Sequence, residues 1–196
     1  GTGRINIQGI SSVNHGIEFT YGQLPNIAIT SSYAGVGPAI TMAGGSTSNL
    51  GIVLFNANGG NVLIQSTSAS GGGILMEGSS IAAGNGAIWL ANENSTSNIQ
   101  LLSGNGDITL RAAPVGSVTQ GLGRILSYGN IYFGNRLNDT PVHGITPSVI
   151  STNANVLLSG NNVLFDDVKT TKVGTTGSFK IEPRSADNSF SAATTI

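Results

Sequence analysis

Pairs of apolar residues separated by one position recur along this chain: Ile27/Ile29, Ile40/Met42, Ile52/Leu54, Val62/Ile64, Ile74/Met76, Ile88/Leu90, Ile99/Leu101 and Ile108/Leu110. In an extended strand alternate side chains face the same side, so a period of two marks a strand with one buried face. The links between pairs are clusters of Gly, Ser, Asn, Thr and Ala, such as AGGSTSN, ANGGN, SASGGG and AAGNG. Such clusters make turns or corners, and no helix signature interrupts the series.

One inward pair per short strand cannot close a compact two-layer core across glycine-rich links, so the core is expected to be narrow and long. Two architectures do this: one chain coiling as a β-solenoid, or several chains wound together on a shared axis. Successive pairs lie from about 9 to about 14 residues apart. A single-chain solenoid holds its repeat length nearly constant, so this drift favours chains wound by symmetry. The expected fold is therefore all-β, an elongated homotrimeric, intertwined, triple-stranded β-helix or β-prism fibre, with a single-chain right-handed β-solenoid as the alternative. Locally, NIQLLSGNGDITL over residues 98–110 also reads as a hairpin with Asn105-Gly106 at its tip, a strong signal for a type I′ turn. Its LLSGN returns at residues 157–161.

Four segments are expected: an entry segment over 1–20, a repetitive shaft over 21–134, a Pro-containing loop or junction over 135–150, and a C-terminal β segment over 151–196. The third holds RLNDTPVHGITPS, and the fourth carries 8 of the 17 charges. Charged residues are only 9% of the chain, whereas 29 of 196 positions are Gly and 39% are hydrophobic. Regularly spaced apolar residues at that level exclude a disordered chain. Solubility has to come from hydroxyls and amides.

Net charge is −1 and no Lys or Arg occurs between Arg4 and Arg111, which leaves no footprint for a phosphate backbone and no nucleic-acid partner. No apolar run reaches the roughly 18–20 residues needed to span a bilayer. The opening GTGRINIQ lacks a signal peptide's basic and apolar regions, and its Gly start suggests a processed product or a fragment. Cys is absent, removing disulfides, thiol nucleophiles and thiolate metal sites.

Repeated [IV]-x-[ILM] units divided by Gly/Ser/Asn/Thr corners, with few charges and no Cys, resemble over residues 20–165 the shafts of bacteriophage tail fibres and tailspikes. The resemblance implies a homotrimeric structural and receptor-binding segment in the virion tail. Such a segment meets a bacterial cell-surface carbohydrate or outer-membrane receptor, without a cofactor. The chain is similar also to secreted adhesins of the filamentous haemagglutinin type, whose repeats read like GDITLRA and fold as single-chain solenoids; that implies a cell-surface or secreted protein. A third reading is a spike that degrades polysaccharide. Phage spike tips hold metal through a His-x-His pair, whereas His15 and His143 each stand alone here.

The chemistry-bearing residues are sparse. A glycoside hydrolase needs two carboxyl groups held roughly 5–9.5 Å apart, and from Tyr21 to Gly106 the acids are Glu77 and Glu93 alone. No enzymatic site is expected. The Gly-x-Gly segments GTGRIN, GNGAIW, GNGDIT and GLGRIL lack both the third Gly and a following helix that phosphate binding requires, so they read as corners. His143 is a candidate axial metal ligand if three chains converge. Trp89, Arg124, Tyr128, Tyr132 and Arg136 are candidate receptor or carbohydrate contacts, because aromatic and Arg side chains furnish such surfaces. The plainer reading puts Ile131 and Phe133 in the core, with Tyr132 packing outside it or across a subunit boundary. Asp107 and Arg111, four apart, share a strand face.

Overall fold

The computed structural model describes residues 2–19, 26–56, 60–81, 86–92, 98–112, 130–134, 149–160, 162–166 and 172–182. Among them every regular element is a strand, and the chain winds through three faces in turn. The first face, sheet A, holds β1 (Ile5–Ser11), β4 (Ile40–Ser46), β7 (Ile74–Ser80), β10 (Ile108–Ala112), β13 (Val156–Ser159) and β16 (Phe179–Glu182). Sheet B stacks β2 (Ile17–Phe19), β5 (Ile52–Asn56), β8 (Ile88–Asn92), β11 (Asn130–Gly134) and β14 (Asn162–Asp166). Sheet C stacks β3 (Asn26–Ser31), β6 (Asn61–Ser66), β9 (Asn98–Ser103), β12 (Val149–Thr152) and β15 (Lys172–Thr175).

Every pairing is parallel and joins a strand to the one a full coil later, so Ile5, Ile40, Ile74 and Ile108 stand in one ladder. The repeat is therefore a three-strand coil, and these four residues advance by 35, 34 and 34 positions. The uneven spacing of the apolar pairs has its source here: each coil has three sides of different length, and from β1 to β10 the coil rather than the side is held nearly constant. The coils close within one chain without a second strand between them. No hairpin forms at Asn105-Gly106 either. β9 and β10 belong to different sheets, and this dipeptide is the corner between them. The two LLSGN copies likewise fall in different sheets, one ending β9 and the other ending β13.

The inward i/i+2 pairs fill the interior as stacked ladders. Ile52, Leu54, Val62, Ile64, Ile88, Leu90, Ile99, Leu101, Ile108 and Leu110 each expose at most 4% of their surface. Burying a side chain of this size contributes about 1.5–3 kcal/mol. Such a narrow core needs its walls close together, and glycine permits that. Gly9, Gly44 and Gly78 form one ladder, and a Cβ on any of them would lie 1.9–2.2 Å from the carbonyl oxygen of Gly16, Gly51 or Ala87 where sheet A turns into sheet B. In the fourth coil the same ladder position is Ala112. From there to β13 the coil lengthens, Ile108 to Val156 being 48 residues; of the segment expected as a Pro-containing loop or junction over 135–150, residues 135–148 lie outside the described set, and Val149 and Ile150 are in β12.

Hydroxyls tie the coils to one another at the corners. Ser11, Ser46 and Ser80 end successive sheet A strands in register. Ser46 Oγ accepts the Asn49 N–H at 2.9 Å and donates to the Asn14 carbonyl of the preceding coil at 2.6 Å; Ser80 repeats that donation to the Asn49 carbonyl at 2.6 Å. Sheet C ends the same way: Ser31, Ser66, Ser103, Thr152 and Thr175 close its strands, and Thr152 Oγ1 donates to the Gly106 carbonyl at 2.7 Å while accepting the Ala154 N–H at 3.1 Å. Ser and Thr are favoured at such turns because the side chain replaces a backbone partner. Ser46 is 1% exposed, so Ser46→Ala strands an amide and a carbonyl and is expected to cost about 1–3 kcal/mol, read as a lowered urea midpoint. An unchanged midpoint would show that the corner holds without the hydroxyl.

Candidate binding cleft

The corner at which sheet C passes into sheet A is built mainly from residues with little side chain, and it leaves an open cleft of about 360 Å³. Pro38, Gly71–Gly73 and Asn105–Asp107 form its corner wall, and the outward residues Leu75, Thr109 and Arg111 form its sheet wall. Gly71 and Gly72 sit at φ of 99° and 70°, where a side chain strains the backbone. A Cβ on Gly73 would lie 1.9 Å from the Asp107 carbonyl oxygen. The bare wall is thus a consequence of how tightly consecutive corners stack.

Its polar groups are held in place by neighbouring coils. Arg111 Nη1 lies 3.1 Å from Glu77 Oε1, the two side chains being 47% and 25% exposed and facing each other in the β7/β10 register. Asp107 Oδ1 accepts both the backbone N–H and the side-chain amide of Asn155 at 3.0 Å, and Asn105 Nδ2 donates to the Ala69 carbonyl at 2.6 Å. Asp107 and Arg111 therefore line one cleft, each paired with a different coil rather than with each other. An ion pair at this exposure contributes little to stability, so Arg111→Ala is expected to change the unfolding free energy by less than about 1 kcal/mol in a urea titration.

The aromatic candidates lie elsewhere. Trp89 and Tyr132 are neighbours on the outer side of sheet B, in register in β8 and β11. They join Leu50, Val53, Phe55 and Ala91 in a second apolar cluster, with Phe55 stacked on Trp89 at 5.0 Å. Trp89 is 7% exposed and Tyr132 0%, so in this fold both serve as packing residues. Arg124, Tyr128, Arg136 and His143 lie outside the described residues. The other histidine, His15, accepts the Leu50 N–H at Nδ1 over 3.3 Å. No three His, Cys, Asp or Glu side chains gather into a metal-ligand group among the described residues, and no helix among them is long and apolar enough to cross a membrane.

The cleft itself was hidden in the sequence because its residues come from three successive coils. GNGDITLR reads as a corner followed by a strand, and so it is. Only the coil repeat places Pro38 and Gly71–Gly73 beside it. No family model, curated protein or solved structure matches the chain.

Proposed function

We propose that this chain is a rigid structural segment of an extracellular attachment protein, and that its corner cleft contacts cell-surface carbohydrate. The observation that carries this reading is the union of one continuous, single-chain core with an outer surface made of amides and hydroxyls. A stack of in-register coils resists bending, because each coil is bonded to both neighbours along three sheets. Outward ladders such as Asn26, Asn61 and Asn98, with Asn61 Nδ2 donating to Asn26 Oδ1 at 2.9 Å, keep the flank wet without charge. In the cleft, Arg111, held by Glu77 beside it, the Thr109 hydroxyl and the Asn105 amide stand with Leu75 and Pro38. That mixture suits the alternating hydroxyl and C–H faces of a sugar chain, since buried polar and apolar contacts together give small-molecule sites their specificity.

Two bearers fit such a segment. Closure of each coil within one chain favours a secreted or cell-surface adhesin working as a monomer. In the phage tail fibre or spike, three such solenoids would lie side by side as a homotrimer, raising avidity without new contacts per copy. Native mass measurement at dilute concentration separates them: a monomer supports the adhesin, and a stable trimer the virion fibre. Polysaccharide cleavage is the weakest reading, because Glu77 is engaged by Arg111 and Asp107 by Asn155.

The carbohydrate contact is tested by glycan-array binding with wild type and Arg111→Ala. Saturable binding that weakens about tenfold or more in the variant is expected, in line with loss of a charged hydrogen-bonding group. Absence of saturable binding, or equal binding by both proteins, would remove the cleft from the proposal.

A further inference from the structure

The cleft has its cause in the lengths of the corners around it. Between a sheet C strand and the sheet A strand that follows, successive described coils use residues 32–39, 67–73, 104–107, 153–155 and 176–178, that is 8, 7, 4, 3 and 3 residues. The two long corners contain the positive-φ glycines Gly37, Gly71 and Gly72, a backbone that other residues rarely adopt. Extra residues at a corner have to lie outside the line of the sheets, so the long corners stand out as a ledge beside the short ones. The cleft sits at that step: Gly37, Pro38 and Gly71–Gly73 come from the long corners, and Asn105–Asp107 form the first short one.

The short corners are built alike. In each, the hydroxyl that ends the sheet C strand takes a corner amide: Ser103 Oγ accepts the Gly106 N–H at 3.2 Å, Thr152 Oγ1 the Ala154 N–H at 3.1 Å and Thr175 Oγ1 the Gly177 N–H at 3.0 Å. Backbone bonds stack them, the Asn153 N–H donating to the Gly104 carbonyl at 2.9 Å and the Gly177 N–H to the Ala154 carbonyl at 3.1 Å. Asp107, Asn155 and Ser178 close the three corners and form one linked row. Asn155 Nδ2 donates to Asp107 Oδ1 at 3.0 Å, and Asn155 Oδ1 accepts the Ser178 N–H at 3.0 Å and its hydroxyl at 2.9 Å. Asn153 and Thr176 open the next two corners, and both are exposed, as are Asn105, Asp107 and Asn155. Coils lie about 4.8 Å apart, so exposed polar groups lead away from the cleft at a constant step. Asp107 is the one charged residue in the three short corners.

We infer that the cleft is the head of a longer binding track, on which an uncharged polysaccharide lies parallel to the rod axis, running from the ledge past Asn105 to Asn153. This inference rests on the carbohydrate reading of the cleft. A polymer repeats its hydroxyls along its length, and stacked coils repeat their corner groups in the same direction, which is how solenoids make extended binding surfaces. An Asn amide both donates and accepts, so it suits a hydroxyl in either role. An acidic polymer would instead meet the Asp107 carboxylate, while the one cation lining the cleft, Arg111, is already held by Glu77.

The experiment titrates the purified chain, by calorimetry, with neutral glucose, mannose and N-acetylglucosamine oligomers from disaccharide to octasaccharide, and with uronic-acid oligomers of the same lengths. In the neutral series that binds, the longer oligomers are expected to bind about tenfold tighter than the disaccharide, as a few added hydrogen bonds would give. Asn153→Ala is expected to remove most of that gain and leave disaccharide binding at the wild-type level. The fold tolerates this change, because the bonds of Asn153 to Gly104 and Thr176 are made by its backbone N–H and carbonyl. Arg111→Ala, inside the cleft, is expected to weaken short and long oligomers alike. Affinity that does not rise with length, a gain that survives Asn153→Ala, or uronic-acid oligomers bound as tightly as neutral ones would each overturn the track and leave the cleft reading standing. No binding by any oligomer would remove the cleft reading, and the track with it.

Discussion

Gly44→Ala is expected to destabilise the protein by roughly 3–5 kcal/mol, an unusually large loss for adding one methyl group. The new Cβ would stand 2.2 Å from the Gly51 carbonyl oxygen, 2.9 Å from its carbon and 2.7 Å from Ile52 Cγ1. Two of those three atoms are backbone, and they belong to the wall that turns sheet A into sheet B, so a rotamer change cannot relieve the contact. To make room the corner has to move outward, which parts the ladder that Gly44 shares with Gly9 and Gly78. Two comparisons isolate the cause. Ala43→Val adds bulk one residue earlier, on the half-exposed outer face of the same strand, and is expected to stay within about 0.5 kcal/mol of wild type. Ala112→Gly, at the ladder position where the coil widens, is expected to cost about 1 kcal/mol or less, mainly through backbone freedom. Urea unfolding followed by circular dichroism measures all three. A Gly44→Ala variant within 1 kcal/mol of wild type would show that the corner is pliable and the glycine ladder incidental.

That ladder also explains how much of the fold the sequence displays. The i/i+2 pairs identify strands and the inward side of each, because burial on one face acts locally on alternate residues. Their grouping into coils is set by a partner about 34 residues away, and the three sides of a coil have different lengths, so spacing between neighbours conceals it. The information is nevertheless present in INIQGIS at 5–11, ITMAGGS at 40–46 and ILMEGSS at 74–80. All three read Ile-x-(Ile/Met)-x-Gly-x-Ser. Each fixed letter has a physical duty: the apolar pair fills the core, the Gly admits the next wall, and the Ser takes the corner amide. NIAITS, NVLIQS and NIQLLS do the same for sheet C, with the Asn facing out.

The candidate site was less legible than the fold, for two reasons. Outward parity on sheet B does not mean exposure, since Val53, Phe55, Trp89 and Tyr132 pack into an apolar cluster of their own. An aromatic in a β-strand can thus be a second-layer core residue although it points away from the first. Conversely, Thr109 and Arg111 acquire a setting only when Pro38 and Gly71–Gly73 arrive from two earlier coils. A motif search within one segment sees half of that cleft.

Leu90→Ala is expected to cost about 3–5 kcal/mol, whereas Ile7→Ala is expected to cost less than half as much. Leu90 is 0% exposed and stacks between Leu54 and Phe133, so truncation opens a cavity that two coils share; buried large-to-small changes of this kind cost roughly 2–5 kcal/mol. Ile7 is half-buried in the first described coil and stacks on Met42 of the next. A solenoid is stabilised by contacts between adjacent coils, so the two losses should differ in reach as well as in size. Hydrogen exchange reads the difference directly. Ile7→Ala should speed exchange of the amides that join the first coil to the second, such as Ile5 and Ile17, and leave Ile74 and Ile108 protected. Leu90→Ala should raise exchange on both sides of the third coil. Equal losses from the two variants at low micromolar concentration would mean that the first coil is already covered as deeply as the third, which its half-exposed Ile5, Ile27 and Ile29 argue against.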